Sequence, residues 1–465
     1  MTAKGGVRHT LYRRLPAVGQ LLDDPILGGA LKLYGRDSVR VQARREVEAL
    51  RLAIDGGLDA ETVDRQATAL PTTIARALAD GPGRRLVRVI NATGILVHTN
   101  LGRVPLPKEV LDEVTSLVTG YCDLEVDLDS GRRSERNRRV AALLRALCGA
   151  PAAIVTNNNA AAMVLALATL ADGRGVAVSR GELVEIGGSF RIPEILEAAG
   201  ARLVEVGTTN RTRLDDYRRA LDDPDADVAL LLKVHPSNYR VVGFTADVEA
   251  DALAALGRDV DVPVMVDEGS GLLRPDARPQ LRDHDSLATL IDAGIDLVSG
   301  SGDKVLGGPQ AGLLAGRADL VERCRRHPLY RAVRPDGFTF GSLEAVLRRH
   351  LAGEPMPLDR LWDDSPSLRR RLAELAERIG GEVTEADGYI GGGSAPDHGV
   401  LGPVLVLPAG SDTLFEPLRR GAGDAPPVVG YARDGRLHLD LRTVEPDDDR
   451  WIDVAIRHAT EGTTP

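Results

Sequence analysis

Ser299-Gly300-Ser301-Gly302-Asp303-Lys304-Val305-Leu306-Gly307-Gly308-Pro309 is the stretch whose reading decides the fold. It continues the apolar run Leu297 to Ser299, so a strand ends in a loop of small residues with one lysine at its centre. Lysine is scarce here: of 58 Lys and Arg residues only Lys4, Lys32, Lys108, Lys233 and Lys304 are lysines. A guanidinium stays charged in proteins, whereas an amine can lose its proton and condense with a carbonyl. A position that keeps lysine against this background is one where a deprotonatable amine is wanted. The residues around Lys304 are small enough to admit a flat ring, although a surface lysine in a glycine-rich loop would look the same in isolation.

Three features upstream and beside it add to the reading. The run Val262 to Val266 ends in Asp267, which puts a carboxylate where a strand emerges at the ligand-binding edge of a sheet. The run Ala153 to Val155 leads into Thr156-Asn157-Asn158-Asn159 and an Ala-rich helix, which aims free backbone N–H groups at an anion. Ser301 offers a hydroxyl to the same anion. Each has a plainer reading, as a turn cap, a helix N-cap or loop filler. Their order is more telling: anion loop, acid at a strand end, then lysine is the chain order of the aspartate-aminotransferase-like enzymes that carry pyridoxal 5'-phosphate (PLP). There the acid keeps the pyridine nitrogen protonated so that the ring withdraws electrons. No G-x-G-x-x-G opens the first strand-helix turn, which disfavours a dinucleotide-binding fold.

The flanking pattern agrees. Between Leu86 and Gly316 short apolar runs (Ala153 to Val155, Gly175 to Val178, Arg202 to Val206, Val228 to Val234, Val262 to Val266, Leu297 to Ser299) alternate with amphipathic helical stretches. Alternation of this kind predicts an α/β fold with a mostly parallel sheet between helices. Before it, Leu11 to Leu22, Asp37 to Ile54 and Ala60 to Asp80 read as helices, with breaks at Asp24-Pro25 and Gly28-Gly29. After it, a helix near Leu343 to Leu351 follows Gly337-Phe338-Thr339-Phe340. The Pro-rich joint at Glu354 to Pro357 then leads to a helix from Ser367 to Ile379 and strands near Val404 to Leu407 and Arg436 to Leu441. The expected division is a helical N-terminal domain over 1–80, a PLP-binding catalytic α/β domain over 81–340 and a smaller α+β domain over 341–465.

A chain of 465 residues with 43% hydrophobic content can bury a large core. Cys122, Cys148 and Cys324 are far apart and form no C-x-x-C pair, which argues against a disulfide framework or a metal site and fits a reducing cytosol. No segment reads as a signal peptide or a membrane span, so a cytoplasmic protein is expected. The net charge of -10 is unevenly spread. Met1 to Asp55 holds ten basic and six acidic residues, leaving that segment at +4 and the remainder at -14. A basic arm on an acidic body is compatible with RNA binding, and equally with a solvated helical face.

Four segments carry a resemblance to a known family: Arg88-Val-Ile-Asn-Ala-Thr-Gly-Ile-Leu-Val-His-Thr-Asn-Leu-Gly-Arg103, Ser179 to Pro193, Val234-His-Pro-Ser-Asn-Tyr239 and Ser301 to Gly312. Together with Leu15-Pro-Ala-Val, Tyr34-Gly-Arg36 and Asp434 to Arg442 they resemble bacterial selenocysteine synthases, the L-seryl-tRNA(Sec) selenium transferases. Ala395-Pro-Asp-His-Gly and Tyr431 are less typical of that family.

The resemblance implies PLP fold type I and conversion of L-seryl-tRNA(Sec) to L-selenocysteyl-tRNA(Sec), by loss of the serine hydroxyl and addition of selenium from selenophosphate. It places the cofactor on Lys304, with Asp267, Thr156, Asn157, Asn158, Asn159, Ser301, His235 and Asn238 around it. Asp303 matches an acid thought to help catalysis, Arg331 and Arg334 match arginines assigned to the selenophosphate anion, and Arg103 is a third candidate for that anion. It also implies tRNA binding by the N-terminal domain and a homo-oligomer, at least a dimer and in this family a ring of dimers. The rival reading is a PLP-dependent lyase acting on a small amino acid or amino-sugar acid; such enzymes resemble the catalytic core but typically lack the N-terminal domain.

Overall fold

The computed structural model describes residues 10–80, 86–186, 190–235, 243–392, 394, 399–421 and 425–461. The chain divides into two compact units, Met1–Arg88 and Val89–Pro465. In the first, α1 (Val18–Leu22), α2 (Gly28–Asp55) and α3 (Ala60–Asp80) pack together. Val39, Ala43, Val47, Leu50 and Ile54 recur at three- and four-residue steps, so they form one buried stripe on α2. All but Ile54 pack in one cluster with Leu70, Ile74 and Leu78 of α3.

Gly28-Gly29, expected to break the helical pattern, instead opens α2. Asp24 caps the preceding turn by accepting from the Ile26 N–H at 2.9 Å, and the bend falls at Gly35, whose φ of +78° a side chain would strain. The helix expected over Leu11 to Leu22 is interrupted at Leu15-Pro16, since a residue before proline avoids helical backbone angles.

The second unit is organised by a seven-stranded sheet. Its strands are β3 (Ala152–Thr156), β4 (Gly175–Ser179), β5 (Arg202–Val206), β6 (Val228–Val234), β7 (Val264–Asp267), β8 (Leu297–Ser301) and β9 (Gly312–Gly316), in the spatial order β3-β9-β8-β7-β6-β4-β5. All neighbours are parallel except β9, which runs antiparallel to both β8 and β3. Both faces are covered. Val264 and Val266 enter one core with helices α4 (Lys108–Val118), α5 (Arg138–Cys148) and a later helix over Gly337–Ala352, while Met265 between them enters the other with α6 (Asn159–Leu170) and α7 (Ala318–Arg326). Side chains alternate across a strand, so a strand apolar throughout is one buried on both sides.

The expected strands fall within two residues of the observed ones. β9 was not expected, because its glycine ends obscure it: Gly312 must be glycine, since a Cβ there would sit 2.1 Å from the Asn158 carbonyl oxygen. That close approach brings the lysine loop back beside the asparagine turn.

Beyond β9 the chain runs through α7, α8 (Pro328–Ala332) and α9 (Gly337–Ala352). α9 starts six residues earlier than expected, with Gly337 to Phe340 as its first turn, because Asp336 caps it by accepting from the Thr339 N–H at 2.8 Å. The last part holds β10 (Glu382–Gly391), β11 (Val400–Val406), β12 (Val428–Val429), β13 (Tyr431–Arg433) and β14 (Arg436–Leu439), covered by α10 (Pro366–Ile379) and α11 (Asp449–Glu461). An early segment joins this part: β2 (Ile95–Val97) pairs with β10 at the edge of the five-stranded sheet β13-β14-β11-β10-β2, while β1 (Ile90–Asn91) and β12 form a separate two-stranded sheet. Among the described residues no helix is long and apolar enough to cross a membrane.

Candidate active site

Asp267 ends β7 and Ser299 lies directly across from it on β8. The Ser299 hydroxyl donates to Asp267 Oδ1 at 2.9 Å, and the Asn159 side-chain amide donates to the same oxygen at 2.8 Å. Oδ2 accepts no hydrogen bond among the described residues. Asp267 is 4% exposed, and burial raises its pKa from the usual carboxylate value despite the two donors and the nearby Lys304. The carboxyl is therefore oriented by one oxygen and available through the other.

Lys304 follows β8 in the loop that returns as β9. Burial lowers its pKa from the ordinary lysine value; Asp267 and Glu268 oppose the shift, and Arg103 adds to it. The amine is thus easier to deprotonate than a surface lysine. Asp303 beside it forms an ion pair with Arg103, which reaches in from a different part of the chain. Arg103 has a φ of +66°, in the left-handed region, and its N–H donates to the His98 carbonyl at 2.9 Å. A non-glycine residue in that region costs about 1–3 kcal/mol, so the turn holds the arginine toward Asp303 against local strain.

His235 follows β6, and its backbone N–H donates to the Asp267 carbonyl at 3.0 Å. Burial holds its imidazole down to about 4, so it is neutral at ordinary pH. Among the described residues its Nδ1 and the Asn159 Oδ1 are buried without hydrogen-bond partners. Buried polar atoms are rarely left so, which suits atoms awaiting a ligand.

The asparagine turn divides its duties. Asn158 caps α6, accepting from the Ala161 N–H at 2.8 Å. The Thr156 hydroxyl donates to the Asn158 carbonyl at 2.9 Å, and the Asn157 N–H to the Val333 carbonyl at 2.8 Å. The backbone N–H groups of Asn159 and Ala160, in the first turn of a 12-residue helix, are the ones left to face an anion. Ser301 is buried at the end of β8 and pairs with Gly312. A cavity of about 710 Å³ reaches Asn157, Asp303 and Arg334. Arg331 is exposed on α8, and Asn238 lies outside the described residues, as do residues 395–398.

Comparison with known proteins adds a decisive observation: the sequence profile described as L-seryl-tRNA selenium transferase matches residues 89–445, and that of the selenocysteine synthase N terminus matches residues 12–51. The chain belongs to the L-seryl-tRNA selenium transferase family. It is 40% identical over 461 residues to the L-seryl-tRNA(Sec) selenium transferase of Geobacter sulfurreducens, covering 96% of this chain and 99% of that one. It is 41% identical over 484 residues to the enzyme of the same name from Moorella thermoacetica, covering 98% of both. Among solved structures, D-glucosaminate-6-phosphate ammonia-lyase shares the fold, with a TM-score of 0.57 and 19% identity over 81% of this chain and 96% of that one. The fold is accordingly that of the type I PLP-dependent enzymes, with the cofactor PLP.

For this member of the family the residues suit that group. The open Oδ2 of Asp267 fits a ring N–H, the unpartnered His235 and Asn159 atoms fit a polar ring substituent, and the α6 N-terminus fits a phosphate. Sequence reasoning missed two residues. Ser299 was in the quoted stretch, but its role needs the β7–β8 register. Glu268 is 3% exposed, and burial pushes its carboxyl up to about 7. It accepts from the Gly271 N–H at 2.7 Å and bonds the Ser270 hydroxyl, while the Ser270 carbonyl accepts from the Val305 N–H at 3.0 Å. A buried acid thus pins the turn that braces the lysine loop.

Proposed function

We propose that this chain converts L-seryl-tRNA(Sec) to L-selenocysteyl-tRNA(Sec), using PLP and taking selenium from selenophosphate. The observation that carries the reading is the pairing of a partly buried, easily deprotonated Lys304 with the buried Asp267, in a chain of this family. Lys304 would hold the cofactor, Asp267 would keep its ring nitrogen protonated, and the N–H groups of Asn159 and Ala160 would bind its phosphate, with Ser301, Thr156, Asn157 and Asn158 shaping that end. Asn159 and His235 flank the ring, with Asn238 as a further contact.

When bound, PLP supplies an electron sink for the charge left when the seryl Cα loses its proton. The Lys304 amine takes that proton. The proton that Lys304 has taken is then available to the departing serine hydroxyl, with Asp303, held by Arg103, placed beside the lysine to steer it. The Cβ–O bond breaks and the hydroxyl leaves as water; selenium from the donor then forms the Cβ–Se bond as its Se–P bond breaks, a water takes the phosphoryl group away as phosphate, and Cα regains a proton. Arg103, Arg331 and Arg334 hold the donor anion, a task suited to the bidentate guanidinium.

The three-part division at 80/81 and 340/341 is proposed as functional, with the N-terminal part gripping the tRNA, the middle part doing the chemistry and the whole acting as a homo-oligomer, at least a dimer, in the cytoplasm. The test combines purified protein, PLP, seryl-tRNA(Sec) and selenophosphate, assays selenocysteyl-tRNA, and maps the peptide labelled after borohydride treatment. Product together with label on Lys304 is the expected result. Label without product or tRNA binding would move the reading to a small-molecule lyase, and no label would sink the site assignment.

A further inference from the structure

A second cavity, of about 420 Å³, shares Arg334 with the one that reaches Asp303. Its walls hold six arginines: Arg133, Arg136, Arg325, Arg326, Arg331 and Arg334. Among the described residues three carboxylates pair with them. Glu125 serves three at once, with Arg136 at 2.9 Å, Arg133 at 3.5 Å and Arg334 at 3.7 Å. Glu135 and Glu322 serve Arg325, and Glu322 also serves Arg326. The cleft therefore keeps excess positive charge on a body that is otherwise acidic. Arg133 and Arg326, with side chains 80% and 77% exposed, stand at its outer surface, while Arg136 and Arg334 are 22% and 28% exposed.

Resting on the reading above, we propose that this cleft takes the single-stranded 3' end of the aminoacylated RNA, with Arg133, Arg325 and Arg326 against its phosphodiesters. The chemistry requires such a path. The reacting serine is esterified to a polyanion, so the last nucleotides must pass close to the lysine loop, and no small-molecule substrate would make that demand. Arginine neutralises phosphates and forks onto them, and the binding it supports weakens with salt in proportion to the contacts made. The shared Arg334 joins the cleft to the donor-binding arginines, so the two anions would enter from one side and meet at Lys304.

The test is a cycle on the full-length holoenzyme: wild type and Arg133→Glu/Arg326→Glu, each titrated with intact tRNA(Sec) and with tRNA(Sec) lacking its last four nucleotides. Both substitutions lie at exposed side chains, and unchanged mass and cofactor spectrum would verify the fold and assembly. Removing the four nucleotides should weaken binding to wild type at least about fivefold and to the variant hardly at all. The variant's log–log salt slope with intact RNA should be shallower by about 1.4, about 0.7 for each lost contact. The KM for selenophosphate should not move.

Equal loss on truncation in both proteins would overturn the proposal. So would a raised selenophosphate KM, which would put Arg133 and Arg326 themselves in the donor site, or an altered mass, which would make them a contact between copies. Because the RNA titrations read binding alone, they would stand even if seryl-tRNA were not turned over, an outcome that would refute the proposed function instead.

Discussion

The lysine loop and the arginine cleft are neighbours joined at Arg334, yet they use charge in opposite ways. Around Lys304, besides the ion pair of Arg103 with Asp303, the ionisable groups are sheltered, and burial shifts four of them toward the neutral form: Lys304 down, Asp267 and Glu268 up, His235 down. In the cleft, arginines stand in solvent beside ionised carboxylates, and the hydrogen bonds from Arg325 hold Glu322 down to about 2. Desolvation makes groups that exchange protons, whereas solvated guanidinium groups attract anions without changing state. One wall is built for chemistry and the other for capture.

Substitutions can break that contrast. Lys304→Ala should abolish turnover, by about a thousandfold or more, with the fold intact by circular dichroism; full activity in that variant would refute the lysine wall altogether. Glu268→Gln tests whether its burial holds a proton. The raised folded value means that the native chain keeps a proton which the unfolded chain releases, so this group's contribution is fully present below about 4.5 and is lost as pH rises to about 7. The loss amounts to about 3 kcal/mol. The melting temperature of the apoprotein should fall less steeply across that window in the variant than in wild type, and parallel curves would count against a proton at Glu268.

Arg331→Ala probes the other wall and should raise the KM for selenophosphate about tenfold, or about 1.4 kcal/mol, with cofactor binding unchanged. A fall in kcat alone would put Arg331 in the chemistry instead. The smallest effect is expected for Ser299→Ala, which removes one of two donors to Asp267 and should cost about 1 kcal/mol in denaturant unfolding. No change there would mean that Asn159 suffices.

Much of this was readable beforehand for physical reasons. Strands buried on both faces are continuous apolar runs, so six of the seven main-sheet strands stood out, and the scarcity of lysine marked Lys304. What could not be read depended on register or on partners distant in sequence. Ser299 meets Asp267 only because β7 and β8 lie side by side. β9 hides in a glycine-bounded segment, and the start of α9 was masked by Gly337 until its Asp336 cap was seen. Asn158 and Asn159, alike in sequence, diverge because one sits at the helix cap and the other a residue further on.

The pairing of β1 and β2 with strands near the C-terminus also bears on how the chain acquires this structure. Ile90 pairs with Val428 and Thr93 bridges to Asp440, so contacts that secure the lead-in to the Arg103 turn span most of the polypeptide. During synthesis the main sheet has all its strands by Gly316, whereas those anchors wait for residues made more than a hundred positions later. Closing so long a loop is slow relative to local contacts. The arginine that steadies Asp303 is therefore among the last groups to be fixed, and a nascent chain stays catalytically incomplete until its end has been made.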